Sequence, residues 1–278
     1  MLEYNIGYDK LNKFETKHKV ILMVSLSHTS STGVQELFVD MVGNHESDLT
    51  LPPFDVSWYS NISIYHQDVY KYSEIGYTGF KKIKPYQNIN WGGHITEDEF
   101  VEIINAPIET EYLLHRFHID QLDDKQWVYD LLDNPPSNFI ILVPVRHPYL
   151  SLLRKYNDNY FDGNVINMLN RLYSSIDGNR VIPVPIDLLS TLPKDILKEE
   201  LQFFFDYFFG MNYESNLEDK IFYQRLDKQK NKKSELVIND EVWKSSLPII
   251  KLLKQFGINY TDDFINYNKF SFRNLNEE

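Results

Sequence analysis

The run Asn138-Phe-Ile-Ile-Leu-Val-Pro-Val145 constrains the fold more than any other part of the chain. Its apolar residues are consecutive rather than alternating, so as a strand it buries both faces, the pattern of a parallel sheet covered by helices. It is far too short for the roughly 20 residues of a membrane-spanning helix. A second run, Lys19-Val-Ile-Leu-Met-Val24, has the same character. Pro148 stands shortly after the first run, where its fixed φ suits the opening turn of a helix.

Other segments fill in the alternation. Thr96 and Glu99 have capping-box spacing and predict a helix over 97–104. Strands are expected over 112–119 and 180–184, and helices over 124–132, 194–209 and 241–256. Strands alternating with helices predict an α/β fold, a three-layer sandwich around a central, mostly parallel sheet. No repeat or long linker divides the chain, so a single domain over 1–278 is expected. Residues 44–93, rich in Tyr, Asn, Pro and Gly, read as an irregular, aromatic-rich insertion.

Composition removes several functions. The chain has no cysteine, which excludes disulfides, thiolate zinc sites, iron–sulfur clusters and cysteine nucleophiles. Its net charge of −12 argues against a nucleic-acid partner, whose phosphates need a broad basic surface. Neither a membrane segment nor a secretory leader is apparent, so a cytoplasmic protein is expected. Nothing in the sequence speaks to the oligomeric state.

The loop after the first run carries chemistry. Ser25-Leu-Ser-His-Thr-Ser-Ser-Thr32 is followed by Gly33, Val34, Leu37, Phe38 and Met41, the apolar ones at helical spacing. A helix N-terminus offers unpaired N–H groups and a positive dipole end to a phosphate, and Ser27, Thr29, Ser30, Ser31 and Thr32 add hydroxyls. The bland alternative is a serine-rich turn capping a helix. The Walker pattern GxxxxGK[ST] is absent, which counts against a small-molecule kinase.

This loop resembles the 5′-phosphosulfate-binding loop of sulfotransferases, with Thr29, Thr32, Gln35, Glu36 and Leu37 in compatible places. His28 stands where that family has Lys or Arg, and Ser30 where it has Gly. The family's Lys bridges donor and leaving group as charge develops, a role open to His28 when protonated or hydrogen-bonded. The segment Arg146-His-Pro-Tyr-Leu-Ser-Leu-Leu-Arg-Lys-Tyr156 is similar to the family's 3′-phosphate motif, R-x-P-x-x-x-x-x-S-x-Y. Arg146, Pro148 and Tyr156 match; Arg154 takes the place of the family's Ser, and a serine occurs at Ser151. Weaker likenesses lie at 181–189 and 248–260.

The resemblance implies a P-loop NTPase-like (sulfotransferase-like) fold and sulfuryl transfer from 3′-phosphoadenosine 5′-phosphosulfate (PAPS). The acceptor is a hydroxyl or amine of a small molecule or glycan, and no metal is required. Ser27 to Thr32 would hold the 5′-phosphosulfate; Arg146, with Ser151 or Arg154, would hold the 3′-phosphate. Transfer needs a base for the acceptor proton. His94 resembles the base of the 2-O-sulfotransferase branch, and His115 and His118 resemble that of the cytosolic branch, while Glu36 is a rival. Three apart on a strand, His115 and His118 point to opposite faces. The spacing of these histidines does not suit a metal. Lys228, Lys230, Lys232 and Lys233 lie near the family's nucleotide-closing basic loop, with a solvated loop the plainer reading. The departures at His28 and Ser30 leave a second possibility, a degenerate, non-catalytic relative that binds a glycan or protein.

Overall fold

A computed structural model describes residues 12–27, 29–31, 33–34, 37–38, 54–56, 96–105, 112–211, 238–260 and 270–276. Among the described residues five strands form one sheet: β1 (Lys19–Ser25), β2 (Phe54–Val56), β3 (Tyr112–His118), β4 (Phe139–Val145) and β5 (Val181–Pro185). Their order is β2-β3-β1-β4-β5. β1 pairs in parallel with both β3 and β4, and β2 in parallel with β3. The expected α/β class with a parallel sheet is therefore present. β2 falls inside the segment read as an insertion; that segment's other residues lie outside the described ones.

The helices are α1 (Glu97–Ile104), α2 (Gln126–Asp133), α3 (Pro148–Asn157), α4 (Gly163–Ser174), α5 (Ile186–Leu189), α6 (Lys194–Phe209) and α7 (Asp240–Leu253). Side chains stop the backbone ends. Asp162 accepts from the Val165 N–H at the start of α4, and Asn239 from the Glu241 and Val242 N–H groups at the start of α7. Gly210 closes α6 at φ 64°, the left-handed turn that glycine adopts without a Cβ clash.

The contacts group the chain into two compact units, 1–25 with 45–142 and 26–44 with 143–278. The first has an aromatic centre. Phe100 lies 6.1 Å from Phe14, 5.1 Å from Phe117 and 5.4 Å from Trp127, centroid to centroid. Asn138 Nδ2 donates to the His18 carbonyl at 2.9 Å, fixing the entry to β1. In the second unit Phe38 packs on Phe205 and Phe209 at 5.3 and 5.4 Å, and Phe204 on Phe272 at 4.6 Å. Buried Glu200 accepts from Ser271 Oγ, the Phe272 N–H and Arg273 Nη1, at 2.8–2.9 Å, and so anchors the segment at 271–273.

His115 belongs to the aromatic centre of the first unit. It is fully buried, with its ring edge-on to Phe100 at 5.5 Å. Burial, and then the charge of His18, lower its pKa to about 3. The folded state thus binds fewer protons than the unfolded chain, whose histidine titrates near 6.5. The stability from this neutral ring is fully present above pH ~6.5 and is lost as the pH falls toward 3. Urea midpoints measured from pH 7 to pH 4 should fall for the wild type, and His115→Leu should remove about 1.4 kcal/mol per pH unit of that slope below pH 6. An identical slope in the variant would assign the acid sensitivity to other groups.

Candidate functional site

The strand order creates one place where connections diverge. β1 and β4 are parallel neighbours, so their carboxyl ends share an edge of the sheet. The chain leaves β1 toward β2, on one side, and leaves β4 toward β5, on the other. In open α/β sheets ligands settle in the crevice outside such a switch point. The hydroxyl-rich loop follows β1, and Arg146 follows β4. Both belong to the second unit.

In the loop, the Leu26 carbonyl accepts from the Thr29 N–H at 3.2 Å and from Thr29 Oγ1 at 2.7 Å, which bends the chain as it leaves the strand. Ser30 then takes φ 70°. Its carbonyl accepts from the Gly33 N–H at 3.0 Å and, at longer range, from the Val34 N–H, beginning a helical stretch at Ser31. Position 30, where the sulfotransferase loop has Gly, has the left-handed backbone that favours glycine. Ser27, Thr29 and Ser31 are buried and Ser30 is half-buried.

The turn after β4 is held by a buried carboxylate. Asp187 Oδ2 accepts from the His147 N–H at 2.6 Å. Asp187 Oδ1 accepts from Tyr260 Oη at 2.7 Å and from the Leu188 N–H at 3.0 Å. Burial raises the Asp187 pKa, opposed by the Tyr260 and His147 hydrogen bonds, by the Arg146 charge and by the Leu188 N–H. His147 caps α3: its Nδ1 accepts from the Tyr149 N–H at 3.2 Å, and its ring lies 4.7 Å from Tyr260 and stacks on Trp243 at 6.2 Å. Half-buried Arg146 is thus held beside a fixed cap.

Along α3, Ser151 is fully buried, and its hydroxyl makes no hydrogen bond among the described residues. A helical serine normally returns its hydroxyl to a carbonyl of the preceding turn, so this one is conspicuous. Arg154 faces outward and pairs with Asp158 at 3.1 Å, a half-exposed i,i+4 contact. Tyr156 is exposed as well. Lys155, by contrast, is 6% exposed, and its Nζ donates to Ser27 Oγ. Its ammonium also lies 6.0 Å from the centre of the Tyr160 ring.

The other expected residues separate. His118 ends β3, buried and in register with Ser25; His115 is the core histidine of the first unit. His28, Thr32, Glu36, His94, Lys228, Lys230, Lys232 and Lys233 lie outside the described residues. Among the described residues no group of three or more His, Asp or Glu is arranged to hold a metal ion, and no helix is long and apolar enough to cross a membrane.

The structure adds three residues to the neighbourhood: Lys155, Asp187 and Tyr260. The helical spacing from Ser151 to Lys155 was the available signal for the first, since residues four apart share a face. Compared with protein-family models and with curated proteins, the sequence gives no match.

The backbone at Ser30 generates a stability prediction. A side chain in the left-handed region costs roughly 1–2 kcal/mol, and more when branched at Cβ. Ser30→Gly should leave the thermal midpoint unchanged or raise it, and Ser30→Val should lower it by several degrees. A Val variant as stable as the wild type would contradict the left-handed assignment.

Proposed function

We propose that the second unit binds the 3′-phosphorylated adenine nucleotide PAPS and that the protein is a sulfotransferase with a P-loop NTPase-like fold. The observation that carries this reading is the divergence of chain at the ends of β1 and β4. It brings a loop of hydroxyls and an arginine, each matching a nucleotide motif in the sequence, out of neighbouring strands.

Ser27, Ser30 and Ser31 would hold the 5′-phosphosulfate with their hydroxyls and the following helix N-terminus. Arg146 offers a fork of donors to the 3′-phosphate, and Ser151 contributes a buried hydroxyl to the same group. The co-substrate supplies the sulfuryl group: the acceptor oxygen or nitrogen bonds to sulfur, the bond from sulfur to the 5′-phosphate oxygen breaks, and that oxygen keeps the electron pair. The acceptor proton needs a base, for which the sequence resemblance offers His94, His118 and Glu36. His115, neutral and packed among aromatic rings, suits a structural role better. The His28 that stands where sulfotransferases have a loop cation favours a second reading, a non-catalytic module that binds a glycan or protein partner.

Thermal unfolding of the full chain with adenosine 3′,5′-bisphosphate, against ATP with Mg²⁺, tests the donor site. A ligand present at a hundred times its Kd adds about 2.7 kcal/mol, a shift of several degrees. The bisphosphate alone should stabilise the wild type. Arg146→Ala should bind it about 10- to 100-fold more weakly, the cost of a charged hydrogen-bonding group. No shift with the bisphosphate would reject the reading. That outcome would leave the glycan- or protein-binding module, whereas binding without sulfuryl transfer to any of a panel of hydroxyl and amine acceptors would keep the donor site and reject the transferase.

A further inference from the structure

Lys155 matches no residue of either nucleotide motif, yet it is a cation that touches the loop. It stands on α3, its side chain is removed from solvent, and its Nζ is within hydrogen-bond reach of Ser27 Oγ. Both residues belong to the second unit. An ammonium carries a full positive charge on three N–H donors, and its bond to Ser27 Oγ places that charge at the loop. Low solvent exposure strengthens its attraction to an anion, because the screening that weakens surface pairs is reduced. Arg154, one residue earlier in sequence, is turned outward to Asp158, so the helix itself selects which of the two cations faces the loop.

We infer that Lys155 supplies the positive charge of the anion-binding loop, contacting the phosphate or sulfate oxygens held by Ser27, Ser30 and Ser31. Charge thereby reaches the loop from α3, across the crevice, rather than from the loop's own sequence. Ser27 acts as a positioning residue that aims the ammonium. The inference rests on the proposed nucleotide site for the identity of the ligand, and only on the loop and Lys155 for the recognition of an oxyanion.

Titration calorimetry on the full chain separates these two. The ligands are adenosine 3′,5′-bisphosphate, adenosine 3′-monophosphate, which lacks the 5′ group, and inorganic pyrophosphate. Lys155→Met should weaken the bisphosphate about 10- to 100-fold, as expected for loss of a charge-assisted contact, and leave the 3′-monophosphate within twofold. Lys155→Gln, which keeps a donor for Ser27 Oγ, carries the same readout and serves if the Met variant does not fold. Equal loss for both nucleotides would assign Lys155 a purely structural role and overturn the inference, as would unchanged binding of the bisphosphate. A wild type that binds pyrophosphate in a Lys155-dependent way but neither nucleotide would reject the PAPS reading and keep Lys155 as the loop's cation. A wild type that binds none of the three would overturn both.

Discussion

The turn that presents Arg146 depends on one buried carboxylate. Water removed from a carboxylate must be replaced by fixed donors, or the charged form becomes untenable. Asp187 meets this with the His147 N–H, the Leu188 N–H and the Tyr260 hydroxyl. These come from the turn after β4, from α5 and from the stretch after α7. One side chain therefore ties together three pieces of chain that are distant in sequence. Replacing it with an apolar residue would strand two backbone donors and a phenol in the interior. His147 completes the device, because an Nδ1 that accepts from Tyr149 cannot carry a proton. The ring caps α3 through that acceptor, and it is stacked on Trp243 and tilted against Tyr260, which keeps it from turning.

Much of this framework was legible in the sequence, and the exceptions have physical causes. β1 and β4 were readable because a strand buried on both faces has an uninterrupted apolar run. α7 was readable from its spacing, although its regular part ends at Leu253 and a tighter turn follows over Lys254–Phe256. β2 was not readable: three residues carry no period, and only pairing with β3 defines them. α4 went unrecognised although Val165, Leu169, Leu172 and Tyr173 fall on one buried face and Asp162 provides its cap. Short spacing over a polar stretch hid it.

The site divides along the same line. The loop hydroxyls, Arg146 and Ser151 were visible because they sit within contiguous motifs. Lys155 and Tyr260 act through space, at sequence separations of 128 from Ser27 and 73 from Asp187. No local pattern encodes such a partner. For His115 a local pattern says less than the surroundings do: a strand histidine near a motif invites a chemical role, and here the ring lies in the aromatic centre of the first unit. Desolvation favours the neutral ring, and Phe100 packs edge-on against it.

The two differences from the sulfotransferase loop that the sequence resembles are unequal in physical terms. Ser30 changes the side chain but keeps the left-handed backbone, so the path of the loop survives at a modest cost in strain. His28 removes a permanent charge, and no backbone conformation can restore one. A field at a point, however, depends on where a charge lies and not on which segment carries it. An ammonium brought to Ser27 by α3 has the same effect on an oxyanion as one rooted in the loop. The substitution also changes what the cation depends on. Arg146 and Lys155 flank the same cap, one just before α3 and the other within it, so both are aligned by His147 and, through it, by Asp187. Under the proposed reading, recognition at the two ends of the nucleotide is then set by a single turn, and any change that loosens the Asp187 clamp weakens both ends together.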